Sequence, residues 1–334
     1  MHKRGNISTF TIFIIASVVI IIGSMLIGRY TITFPEFIAA IDALLAGTDD
    51  NTTLTVLLNI RLPRILAAFL VGGTLSITGA AYQGMFRNPM VSPSILGVSA
   101  GAGFGAALGI LLGFTPLMLQ ISSFAFGVIA IVAVYFISFS TGKKHDKCLT
   151  LILSGMIVGT LFSASISILK YIADPDGILP SIVYWLMGGL SNVEDSDLLF
   201  ISIIAATGLI LLTLSGRKLD MLAFGDDEAK TMGINVERFR FFVIAIATLL
   251  TASAVSISGI IGWVGLLIPH ISRMLVGSKS RVLLPSSFLI GGSFLLLVDD
   301  FSRTITTIEM PLGITTSLIG APFFIFILMK TSKR

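Results

Sequence analysis

Apolar residues run along this chain in blocks the length of a bilayer crossing, separated by short polar stretches. A membrane-spanning helix needs about 20 mostly apolar residues. Uncharged runs of that size fall at residues 10–28, 65–86, 148–169, 198–216, 282–298 and 310–329. Two other uncharged stretches are too long for one helix. Residues 88–142 divide at Pro116, flanked by Gly113 and Thr115, into a third and a fourth span. Residues 241–272 divide at Gly259, Gly262 and Gly265 into a seventh and an eighth. The pattern predicts an all-α polytopic membrane protein of ten transmembrane helices.

The stretch 177–193 is also uncharged, but it carries Pro180, Trp185 and Gly188-Gly189. Basic residues gather on the cytoplasmic side of membrane proteins, and this decides its status. Ten spans with a cytoplasmic N-terminus put 17 of the 22 Lys and Arg inside, leaving Arg29, Arg61, Arg64, Lys170 and Arg303 outside. An eleventh span at 177–193 would place the basic segment 217–240 outside. The stretch is therefore expected to be a re-entrant or outer-surface helix, and both termini cytoplasmic. Met1-His2-Lys3-Arg4 before the first apolar run has the look of a secretory leader. Arg29-Tyr30-Thr31 offers no small-residue cleavage site, so the run is expected to be a retained helix.

Composition agrees. The chain is 54% hydrophobic and 12% charged, against about 25% charged in soluble domains, and one membrane domain over 1–334 is expected. A single cysteine, Cys148, excludes an internal disulfide and a cysteine metal cage. His2, His145 and His270 are far apart, and no metal site or nucleic-acid partner is expected. No Gly-x-x-x-x-Gly-Lys-[Ser/Thr] phosphate loop occurs, since Gly142-Lys143 is followed by Lys144 and lacks the upstream glycine.

Several local features suggest chemistry. A shift of 180 residues aligns Ser76-Ile77-Thr78-Gly79 with Ser256-Ile257-Ser258-Gly259, Pro89 with Pro269 and Gly97 with Gly277. This pairs span 2 with span 7 and span 3 with span 8, as two inverted five-helix halves would. Gly97, Gly101, Gly105, Gly109 and Gly113 form a ridge that permits close helix packing or sliding. Arg61 and Arg64 sit just outside span 2 and Arg303 just beyond span 9. They fit either headgroup contacts or a basic rim that docks an acidic partner surface. Asp299, Asp300 and Glu309 flank Arg303 and offer local ion pairs instead. In the inner segment 217–240, Asp226, Asp227 and Glu228 favour a helix start and Gly233 its end. A short helix along the inner face is expected, either a solvated connector or a lever. Pro269-His270 is read as a structural group rather than a proton site, because no intramembrane carboxylate accompanies it.

Glu228-Ala229-Lys230-Thr231-Met232-Gly233 resembles the Glu-Ala-Ala…Gly loop of ABC importer permeases. The whole chain resembles the FecCD family of iron-siderophore, haem and vitamin B12 permeases. The resemblance is carried by Arg61-Leu62-Pro63-Arg64, residues 79–84, Asn88-Pro89-Met90, Leu96-Gly97-Val98-Ser99-Ala100-Gly101, residues 262–270 with Arg273, Arg281-Val282-Leu283-Leu284-Pro285, Pro311-Leu312-Gly313-Ile314 and Gly320-Ala321-Pro322.

That resemblance implies a type II ABC importer permease in a bacterial or archaeal inner membrane. It implies a second permease subunit, two cytoplasmic ATPase subunits that use ATP and Mg, and an extracytoplasmic binding protein. This chain would then bind no cofactor and hydrolyse no ATP. Arg61, Arg64 and Arg303 would meet the binding protein. Asp220, Gly225, Glu228, Ala229 and Gly233 would couple to the ATPase. Asn88, Pro89 and Met90 would form the inner gate, with Met90 where the family often has leucine. Ser154, Ser163, Ser167, Thr315 and Thr316 would face the pathway. Iron(III)-siderophore is the expected cargo, with haem and cobalamin as alternatives. An ion-coupled transporter would need charges within the spans, and a membrane-embedded enzyme a nucleophile–base pair; the spans as drawn supply neither.

Overall fold

A computed structural model describes residues 2–46, 52–140, 147–306 and 308–331. Lys143, Lys144, Lys333 and Arg334, used in the charge count, and His145, weighed as a metal ligand, lie outside the described residues. Among the described residues the regular structure is entirely helical. α1 (His2–Leu26) is followed by α2 (Phe34–Ala46), α3 (Thr52–Thr55), a π-helical turn Val56–Arg61 and α4 (Leu62–Met85). After a 3-10 turn at Pro93–Leu96 come α5 (Val98–Leu111), α6 (Pro116–Ser140), α7 (Lys147–Ile172) and α8 (Ile178–Met187). Then follow α9 (Asp195–Leu214), α10 (Gly216–Leu222), α11 (Asp226–Thr231), α12 (Val236–Ser258), α13 (Val264–Val276), α14 (Ser280–Thr304) and α15 (Leu312–Thr331).

Among the described residues, six helical stretches are long and apolar enough to cross a bilayer: Thr52–Met85, Pro116–Ser140, Lys147–Ile172, Asp195–Leu214, Val236–Ser258 and Ser280–Thr304. Five shorter apolar helices accompany them, at Phe10–Leu26, Val98–Leu111, Ile178–Met187, Val264–Val276 and Leu312–Phe326. The two long uncharged stretches do divide where Pro116 and the glycines after Ser258 stand. The ten residues of α8 rise only about 15 Å, so 177–193 does not form a spanning helix.

α4 is the central element. Its buried face meets α14 antiparallel: Arg64 pairs with Asp299, Phe69 stacks edge-on against Phe288, and Ser76 lies where a Cβ on Gly291 would sit. Against α13 the approach is closer still, since a Cβ on Gly79 would stand 1.8 Å from the Gly265 carbonyl oxygen. The glycine ridge of α5 packs on α6. Side chains at Gly101 or Gly105 would strike the α6 carbonyls of Phe126 and Ser122 at 2.5 and 2.4 Å, so the ridge is a tight packing seam.

Three expectations change. Helix lengths run in a similar order in α4–α5–α6–α7 and in α12–α13–α14–α15, whose last three members start at 98, 116, 147 and at 264, 280, 312. The 180-residue shift instead carries α13 onto the loop before α5, because a few shared small residues set that register and loop length differs. Arg61 and Arg64 lie within a helical stretch that begins at Thr52, and Arg303 lies within α14, which continues to Thr304. Charge was taken to end a span, but a paired charge does not interrupt a helix. α14 accordingly continues past the uncharged run 282–298 and buries Asp299, Asp300 and Arg303. α2, an amphipathic helix with Phe34 and Leu45 exposed, was not anticipated.

Candidate functional site

The polar groups collect at the two ends of the bundle. At one end, the Arg64 guanidinium grips two carboxylates. Its Nη2 donates to Asp299 Oδ1 at 2.8 Å and its Nε to Asp299 Oδ2 at 3.0 Å, while Nη1 donates to both Glu309 oxygens at 2.9 and 3.0 Å. Arg303 donates to Asp300 and to the carbonyl and hydroxyl of Ser24, at 3.0 and 2.9 Å for the latter two. Its Nε lies 3.9 Å from Asp299. Arg61 donates to the carbonyls of Met25 and Tyr30, where α1 ends.

These arginines therefore do not form an exposed rim. Arg61 and Arg303 are 3% and 5% exposed; Arg64 and Arg303 are paired with the three carboxylates, and Arg61 is held by backbone carbonyls. An unpaired charge withdrawn from water is too costly to leave uncompensated, so the cluster closes on itself. Glu309 carries the link outward: the Ser191 hydroxyl donates to it at 2.8 Å. Burial alone would raise the Glu309 carboxyl. The Arg64 charge and the Ser191 bond outweigh it and hold the group below the usual carboxylate range.

Near this end a cavity of about 780 Å³ opens between the α5–α6 turn, α8 and the start of α9, with Gln120, Tyr184, Trp185 and Asn192 in its wall. Glycines knit the adjoining breaks together. A Cβ on Gly313 would lie 2.5 Å from the Met187 carbonyl, and one on Gly259 2.3 Å from that of Trp185. α8, the break after α12 and the start of α15 thus form one joint.

At the opposite end lies the acidic-then-glycine segment. α11 starts at Asp226 behind Gly225, whose φ of 131° is open to glycine and strained for other residues. Gly233 follows the helix with φ 84°. Ala229 is fully buried and Glu228 exposed. The exposed pair Lys230–Asp227 is joined at 2.9 Å, which raises the lysine and lowers the aspartate from their usual values. Arg240 anchors the segment to α12 by donating to Asp226 at 3.0 Å. Asp220 accepts from the Ser280 amide at 2.9 Å. Phe224 is 73% exposed and Met232 43%. These two apolar surface residues flanking α11 escaped the sequence reading, which followed the charges.

Asn88, Pro89 and Met90 are exposed in the loop after α4, where Asn88 Oδ1 accepts from the Met90 amide at 2.9 Å. The loop reaches this same end, with Arg87 beside Gly225. The five pathway candidates are not brought together. Ser163 and Ser167 lie on the exposed face of α7. Ser154, Thr315 and Thr316 are buried inside the chain, with Thr315 bonded to Ser302 at 2.8 Å. Their hydroxyls serve helix packing and do not line an open face.

Comparison with known proteins fits this architecture. Residues 14–330 match the FecCD transport family. The chain belongs to that family. The molybdate import system permease protein MolB of Haemophilus influenzae is 41% identical over 325 residues, 97% of this chain and 95% of that one. The cobalamin import system permease protein BtuC of Halobacterium salinarum is 41% identical over 285 residues, 85% of this chain and 76% of that one. A solved inward-facing conformation of a metal-chelate type ABC transporter matches with a TM-score of 0.88 and 39% identity, covering 96% of this chain and 98% of that one. Further relatives are named for haemin and iron chelates. This chain is thus a multi-pass membrane protein and an ABC importer permease of the FecCD family.

Proposed function

We propose that the chain carries a metal chelate, iron(III)-siderophore first among them, from an extracytoplasmic binding protein into a bacterial or archaeal cell. The observation that carries this reading is the near end-to-end match to metal-chelate and cobalamin permeases, joined to a coupling-type segment at one end of the bundle. The six long apolar helices, with four of the five shorter ones, make up ten spans; α8 stays on the outer side. Two copies or close homologues enclose the pathway, and the exposed α7 face bearing Ser163 and Ser167 supports its placement there. Two separate ATPase subunits use ATP and Mg and grip α11, with Glu228, Phe224 and Met232 as the contact. This chain itself holds no cofactor. Asn88, Pro89 and Met90, next to that grip, act as the inner gate. The binding protein settles on the end that holds Arg61, Arg64 and Arg303, where Glu309 is the exposed edge of the cluster.

Molybdate is the second reading, favoured by the Haemophilus relative that matches 97% of this chain. Haem and cobalamin follow. The test is uptake into vesicles containing the chain, its ATPase subunits and the binding protein encoded beside it. Radiolabelled iron(III)-siderophore, molybdate, haem and cobalamin are each offered with ATP. ATP-dependent accumulation of the iron chelate alone supports the first reading, and accumulation of molybdate alone replaces it. Transport without any ATPase subunit sinks the importer reading.

A further inference from the structure

α14, like α4, joins the two polar ends. α14 runs from Ser280 to Thr304, and its 25 residues make a rod of about 37 Å. At its start the Ser280 backbone N–H donates to the Asp220 carboxylate of α10 at 2.9 Å. The residue before it, Lys279, makes no side-chain cap bond, so α14 receives its cap from a residue 60 positions earlier in the chain. A carboxylate there also meets the positive end of the helix dipole. Pro285 lacks the N–H that would bond back into the first turn, so the borrowed cap is one of the contacts that hold this helix start. α10 is seated beside it by the buried Leu219 and Leu222 and by Gly216, where a Cβ would stand 2.8 Å from the Arg281 amide. At the far end, Asp299, Asp300 and Arg303 lock the same rod to α4 and α1.

We propose that α14 carries the coupling stroke from one end of the bundle to the other, and that Asp220 is the positioning residue that clamps α10 to it. The proposal rests on the importer reading, in which an ATPase moves α10 and α11 and a binding protein loads the opposite end. A rod held at both ends moves as a body. Freed from Asp220, its start no longer follows α10.

The hydrogen bond can be removed from either side. Asp220→Ala deletes the acceptor. Ser280→Pro deletes only the donor, at the first helical position, which proline favours; Lys279 already has the extended backbone (φ −69°, ψ 112°) that a following proline requires. Asp220→Asn keeps an oxygen that caps as well. The measurement is the ATP hydrolysis rate of the full reconstituted complex with and without its binding protein. The ratio is expected to fall toward one, a loss of stimulation by the binding protein, in Asp220→Ala and Ser280→Pro, and to survive in Asp220→Asn. A wild-type ratio in both deletion variants overturns the proposal while leaving the importer reading intact. If Asp220→Ala does not assemble, Ser280→Pro, which leaves α10 unaltered, decides alone. A wild-type complex with no ATP hydrolysis, or none that responds to the binding protein, sinks the importer reading and this inference with it.

Discussion

Arg64 shows how a charge can sit in a helix that crosses a bilayer. Its three nitrogens make five hydrogen bonds to four carboxylate oxygens, and Asp299 has no exposed side-chain surface at all. Removing the arginine leaves that carboxylate buried and short of its partner. Arg64→Ala is expected to cost about 3–5 kcal/mol, read as a lower thermal midpoint in detergent. Glu309, a quarter exposed, has water as a substitute partner, and Glu309→Gln costs less. Its pH dependence is specific. A carboxyl whose folded value lies below its reference of 4.5 stabilises the fold above that reference and loses the contribution as pH falls through the folded value. The stability gap between wild type and Glu309→Gln is expected to be constant near neutrality and to close in acid. A gap that widens on acidification refutes the assignment. The sequence brought Asp299, Asp300 and Glu309 near Arg303 as possible partners, because they are neighbours along the chain. It could not show that Arg64, 235 positions from Asp299, takes the larger share.

Helices were readable where apolar runs were long, and their breaks where proline or clustered glycine stood. Their ends were misread wherever a charge was partnered, because composition sees the cost of a charge and not the group that offsets it. α2 was missed for a related reason: Glu36 and Asp42 interrupt its run, and its 13 residues fall short of a crossing. The closeness of helix pairs was readable only as small residues at helical spacing. The structure separates those that matter. Gly79→Ala places a methyl carbon 1.8 Å from the Gly265 carbonyl, backbone against backbone, with no flexible group to yield. It is expected to cost about 3 kcal/mol or more. Gly84, on the same helix, has nothing within 4 Å of its would-be Cβ. Gly84→Ala is expected to be neutral or to gain about 0.5 kcal/mol from lower backbone entropy. Thermal midpoints of the two variants side by side test the packing of α4 on α13, and equal losses would show that the contact is not what holds the pair.

The proposed direction of the whole bundle in the membrane rests on charge placement. α14 and α4 fix the relative ends: the arginine cluster at one, α10 and α11 at the other. What the helices alone do not choose is which end faces the cytoplasm. The proposed orientation relies for that on the distribution of lysine and arginine, because basic loops are retained on the inner side during insertion. The segment 217–240 carries Arg217, Lys218, Lys230, Arg238 and Arg240, whereas the turn between α7 and α8 carries Asp174 and Asp176 and no basic residue. Asp176 and Lys230 are both exposed, and Cys148 is the one native thiol and is buried. In a Cys148→Ala background, a membrane-impermeant thiol reagent added to intact cells is expected to label Asp176→Cys and to leave Lys230→Cys unmodified until the membrane is opened. An ATPase can push only on what reaches the cytoplasm. Labelling of position 230 from outside would therefore remove α11 as its contact and reverse the direction in which α14 transmits. Protection of position 230 with labelling of position 176 places the buried arginines on the side from which cargo arrives.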